Sequence, residues 1–130
     1  EQKIKAANKS ISTPVEVDVI DECLIIVPNK VFSKNQFSLI GPTWHLYGTD
    51  FSLQMKLLNL PVLVFPSELW HVSDGKSLNL NYFDAIQWLM QRYSKNFSVI
   101  YTFFGVWPSN PILLKLKCFY RKFRFYIKGV

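Results

Sequence analysis

Asp50 is a lone carboxylate in a stretch that otherwise asks to be buried. The segment GPTWHLYGTDFSLQ sets it between the rings of Trp44, His45 and Tyr47 and the apolar run LQMKLLNL. A charged carboxylate in apolar surroundings is costly unless something pairs with it. Asp50 is therefore either a helix-start device or a chemical group. In the first turn of a helix it would gain ~0.3–1 kcal/mol from the helix dipole. Three other residues invite the same question. Asp21 and Glu22 sit at the junction of two apolar runs, and His71 follows Trp70 in a polar loop. Taken singly, the two acids mark a strand end, His71 is a loop histidine, and Trp44 and Tyr47 are packing rings.

A second set of candidates lies at the C-terminus. Nine of the 15 basic residues and all nine acidic ones fall before Pro111, so the +6 net charge comes wholly from Lys115, Lys117, Arg121, Lys122, Arg124 and Lys128. On a helix, Lys117, Arg121, Arg124 and Lys128 form one narrow stripe, and Ile112, Leu116, Phe119, Tyr120, Phe123, Ile127 and Val130 occupy another side. A basic amphipathic helix with interleaved aromatics points to docking on an anionic membrane surface. The alternatives are a helix packed on the domain with its basic face in water, or nucleic-acid binding. No nucleic-acid motif accompanies the charge, so no nucleic-acid partner is expected.

These residues must be held by a core, and 130 residues with 49% hydrophobic content suffice for one domain. Alternation of Val15, Val17 and Val19 with Glu16 and Asp18 predicts a half-buried strand, continued by the unalternating CLIIV as a strand covered on both faces. TDFSLQMKLLN predicts a well-buried helix with Thr49 as N-cap and Asp50 in its first turn. LPVLVF follows as a short strand. YFDAIQWLMQRYS predicts a second helix capped by Asn81, with Asp84 completing the cap and Ala85, Ile86, Leu89 and Tyr93 inward. FSVIYTFFGVW predicts another strand, and SNP starts the last helix with Asn110 as cap and Pro111 at the first position. The order predicts an α/β fold: a mixed sheet drawn from residues 15–27, 62–65 and 98–104, with flanking helices. Residues 1–110 form the domain and 111–130 a basic amphipathic C-terminal helix.

Other classes find no support. There is no apolar run long enough to span a bilayer, no apolar signal core in EQKIKAANKSIST, no phosphate-binding glycine loop, no nucleophile elbow and no zinc spacing. Cys23 and Cys118 lie in unlike contexts and read as reduced thiols of a cytosolic protein.

The succession VDVIDECLIIVPNKVF, WHLYGTDFSLQ and PVLVFPSELWHVSDGKS, over roughly residues 15–80, resembles the acceptor-side half of family-2-type bacterial glycosyltransferases with the GT-A fold. The resemblance implies a partial GT-A-like half domain in which Asp50 is the general base on the acceptor hydroxyl. It implies that His71 helps hold a divalent ion, Mg or Mn, on the donor diphosphate. Trp44, His45 and Tyr47 would line the acceptor site, and Asp21 or Glu22 would hydrogen-bond sugar hydroxyls. The partners implied are a nucleotide-sugar donor and a glycan or lipid-linked acceptor, at the cytoplasmic face of a membrane. The nucleotide-binding half with its Asp-x-Asp motif would precede residue 15, and residues 1–14 do not supply it. The expectation is thus the C-terminal part of a transferase of polysaccharide biosynthesis, inactive and without cofactor by itself. The alternative is a non-enzymatic peripheral membrane-interaction domain.

Overall fold

The computed structural model describes residues 11–39, 44–67 and 79–128. They form a mixed α/β structure of four helices and two small antiparallel ladders. The elements run β1 (Val15–Glu16), α1 (Asn29–Phe32), α2 (Tyr47–Leu57), β2 (Leu63–Val64), α3 (Asn81–Tyr93), β3 (Val99–Thr102), β4 (Gly105–Pro108) and α4 (Pro111–Lys128).

The single mixed sheet expected from the sequence is not formed. β1 pairs β2 with Val15 opposite Val64, and β3 pairs β4 with Ile100 opposite Trp107, in separate sheets. The reason lies in two segments. CLIIV finds no partner strand among the described residues and runs as irregular chain, with Leu24 and Ile26 exposed. FSVIYTFFGVW is a hairpin, because Phe103 and Phe104 form its turn and Gly105 adopts φ 124°, a conformation that only glycine takes easily.

α3 is the centre of the larger core. Its Ala85, Ile86, Leu89 and Tyr93 are buried as their spacing predicts, and they pack with Leu46, Leu53, Ile100, Trp107, Leu114 and Cys118. α2 joins this core to a smaller one. Its Leu53 belongs to the first, while Phe51 and Met55 pack with Val62 and the part-buried Val17, Ile20, Val31 and Phe32. Only the first two turns of α2 are enclosed, and Leu57 and Leu58 emerge into solvent.

Helix ends follow the sequence unevenly. At α4, the Asn110 side-chain oxygen accepts from Ile112 N (3.0 Å) and Leu113 N (3.1 Å), the expected cap. At α3, Asn81 is already helical. The Asn79 Oδ1 accepts from Asn81 N at 3.0 Å, and Asp84 pairs instead with Lys122 of α4 at 3.6 Å. At α2, the helix begins two residues before Thr49, which lies buried inside it. Its N-cap is Leu46 at φ 67°, held in the left-handed region by burial in the core.

Candidate functional site

The residues singled out around α2 do meet in space. Irregular segment 20–25 crosses the start of the helix so closely that a Cβ on Gly48 would lie 3.1 Å from the Ile20 carbonyl. A side chain there would push the two segments apart by a few tenths of an ångström, so glycine eases the approach. Three hydrogen bonds tie the two together. Gly48 N donates to Glu22 Oε1 (3.3 Å), the Tyr47 hydroxyl donates to the Glu22 carbonyl (3.3 Å), and Ile20 N donates to Ser52 Oγ (3.3 Å). Glu22, Asp21 and Tyr47 thus form one cluster. Burial, reinforced by the neighbouring Asp21 carboxyl, pushes the Glu22 carboxyl up to about 8, against the opposing help of the Gly48 N–H. Burial also raises the Tyr47 hydroxyl, with Glu22 and Asp21 adding to it.

Trp44 and His45 precede this cluster. Trp44 is exposed and its ring lies 4.1 Å from that of His45. His45 is buried, edge-on to Tyr82, with Nε2 3.2 Å from Asn79 Oδ1. Burial lowers its proton affinity, so the ring favours the neutral form.

Asp50 is enclosed. The role of general base implied by the resemblance needs a carboxylate open to an acceptor hydroxyl. Instead Asp50 is 0% exposed, and its carboxylate is spoken for within the protein. The Tyr93 hydroxyl donates to Oδ1 at 2.7 Å, Gln54 Nε2 donates to Oδ2 at 2.7 Å, and the Arg92 guanidinium stands 3.8 Å from Oδ1. Arg92 itself lies over the rings of Trp88 and Tyr93. This is how a charge is retained inside a core: every oxygen has a donor and a cation stands at the margin. Gln54 was legible as a partner, since it lies one helical turn beyond Asp50. Tyr93 was not, being 43 residues away. His71 lies outside the described residues. Among the described residues no group of three or more His, Cys, Asp or Glu is placed to hold a metal ion, so they offer no donor set for the divalent ion that the glycosyltransferase resemblance implies.

The tail helix presents the faces that its sequence predicts, but in the opposite sense to a solvated basic stripe. Leu114 and Cys118 are buried, and the cations beside them turn toward the β3–β4 hairpin. Arg121 Nη2 donates to the Phe104 carbonyl at 3.0 Å, and Lys117 Nζ donates to the Val106 carbonyl while lying over the Trp107 ring. The apolar side faces outward. Phe119 is 72% exposed, Phe123 54% and Ile127 66%, with Ile112 and Leu116 exposed along the same line. Phe119 and Phe123 stack with centroids 6.4 Å apart. Lys115 and Arg124 are exposed at the two margins of this face, with Arg124 over the Tyr120 ring. The side chain of Lys128 lies outside the described residues.

Fold and site together define a small mixed α/β protein that turns the apolar face of an amphipathic helix to solvent. Comparison with protein-family models, with curated proteins and with solved structures returned no match. Among the described residues no helix is long and apolar enough to cross a membrane.

Proposed function

We propose that the chain is a peripheral membrane-interaction domain that lays α4 flat on an anionic bilayer surface. The observation that carries this reading is the outward line of Ile112, Leu116, Phe119, Phe123 and Ile127 on a helix of 18 residues. Such a helix is ~27 Å long, and a contiguous apolar strip of that length marks an interaction surface. The charge selects the partner. α4 carries no acid, and of its six cations Lys115 and Arg124 stand exposed on the two flanks of this face. Two copies facing each other would bring like charges together, whereas anionic headgroups attract each Lys or Arg near the surface by ~1 kcal/mol. The test is co-sedimentation with phosphatidylcholine vesicles containing phosphatidylglycerol. Binding at low salt that weakens as salt is added is the expected result. A chain that stays in the supernatant at low salt would overturn the reading.

A second reading, the acceptor-side portion of a glycosyltransferase, is supported by the gathering of Asp21, Glu22 and Tyr47 at the start of α2, one step from the Trp44–His45 ring pair. It requires Asp50 to exchange Tyr93 and Gln54 for an acceptor hydroxyl. In a longer enzyme carrying the nucleotide-binding half, Asp50→Asn would lower turnover ~10²–10⁴-fold if Asp50 is the base. Unchanged turnover would reject that role.

A further inference from the structure

We infer that α4 holds the bilayer chiefly by inserting its Phe119–Phe123 face between lipids, which makes it selective for loosely packed, strongly curved membrane, with Lys115 and Arg124 as its headgroup contacts. The inference rests on the membrane reading and adds what the helix recognises.

The argument starts from where the cations go. Lys117 and Arg121 are bound to carbonyls of the hairpin, and Lys122 pairs with Asp84 of α3. These contacts fix the helix to its domain through the side that a purely electrostatic anchor would turn to the lipid. Of the cations whose side chains are described, Lys115 and Arg124 remain exposed, one on each flank of the apolar face. Opposite the domain stand Ile112, Leu116, Phe119, Phe123 and Ile127, bordered by Tyr120 and Tyr126, all exposed. Tyrosines at the border of an apolar strip suit the headgroup boundary, where a ring is buried and its hydroxyl stays wet. Among the described side chains the electrostatic share is therefore two cations, while the insertable share is five large apolar side chains. Burial of a single Phe is worth more than one surface Lys or Arg. Inserting rings of this size requires gaps between headgroups, and these are commonest where lipids are loosely packed or the surface is curved.

The experiment uses the full chain with small and large unilamellar vesicles, of phosphatidylcholine alone and of phosphatidylcholine with phosphatidylglycerol. Small vesicles should bind more protein than large ones at equal lipid, in both compositions. Replacing both phenylalanines (Phe119→Ser with Phe123→Ser) should lower partitioning about a hundredfold on both compositions. Lys115→Gln with Arg124→Gln should lower it about thirtyfold, and only where phosphatidylglycerol is present. All four positions are exposed, so circular dichroism should report native folding in each variant. Phe119→Leu with Phe123→Leu keeps the face apolar and should retain binding. Serine variants that bind anionic vesicles like the native chain, or equal binding to small and large vesicles, would overturn the insertion while leaving membrane docking in place. A native chain that binds no vesicle at low salt overturns both.

Discussion

Removing one oxygen atom from Tyr93 tests whether Asp50 is a built-in structural charge. Tyr93→Phe keeps the buried ring and deletes the hydroxyl that donates to Asp50 Oδ1 at 2.7 Å and contacts the Asp50 carbonyl at 3.3 Å. Gln54 holds the other carboxylate oxygen, and Arg92 at 3.8 Å is beyond direct hydrogen-bond range. Oδ1 would therefore lose its one short donor in a site that excludes water. A hydrogen bond to a charged group contributes ~1.5–3 kcal/mol, and breaking a buried ion pair outright costs ~3–5. With Gln54 and Arg92 still in place the lower scale governs, and the expected loss is ~2–3 kcal/mol. For a chain of this length that is a fall in melting temperature of about 8–12 °C. The assay is thermal unfolding followed by circular dichroism, with urea titration to confirm that the slope is unchanged. Asp50→Asn should restore part of the loss in the Tyr93→Phe background, because the buried group is then neutral. A Tyr93→Phe midpoint within about 2 °C of the native chain would refute the account of Asp50 as a buried charge that depends on this hydroxyl.

The remaining predictions concern pH and a helix end. Glu22 titrates higher in the fold than its ordinary 4.5, up to about 8, so the folded state binds the extra proton. Its contribution is complete below pH ~4.5 and lost as pH rises through ~8, by about 1–2 kcal/mol once the screening of a part-exposed pair is allowed for. Urea midpoints between pH 5 and 9 should fall in the native chain and fall less in Glu22→Gln; equal slopes would remove the account of Glu22 as a carboxyl raised by burial. Asn110→Ala removes the acceptor for Ile112 N and Leu113 N and should cost about 1 kcal/mol, read as a lower urea midpoint; no shift would show that the cap is redundant.

What the sequence made legible was local. The Asn110–Pro111 start of α4 and the inward spacing of Ala85, Ile86, Leu89 and Tyr93 depend on neighbours within a turn or two, and both stand in the structure. Sheet membership depends on which distant strand arrives, so CLIIV read as a buried strand although no strand among the described residues pairs with it. Periodicity likewise separated the basic and apolar sides of α4. It could not say which side meets the domain, because the hairpin carbonyls that receive Lys117 and Arg121 are not visible as acceptors in a one-dimensional pattern. Around α2, Glu22 meets Tyr47 and Gly48 across some 25 residues, a contact that no local pattern announces. The enclosure of Asp50 was hidden, since its decisive partner comes from α3.

The grip of α4 on the hairpin has a consequence for solubility. A two-stranded hairpin leaves a row of carbonyls along its outer strand, and an uncovered row of this kind templates pairing with another chain. In β4 the Val106 carbonyl is taken by Lys117, and the turn carbonyl of Phe104 by Arg121. Charged side chains thus stopper an edge that is flanked by the exposed Tyr101, Phe103 and Val106. α4 acts as a gatekeeper for the strand that precedes it. Were the helix to lift away, it would bare a sticky edge at the same moment.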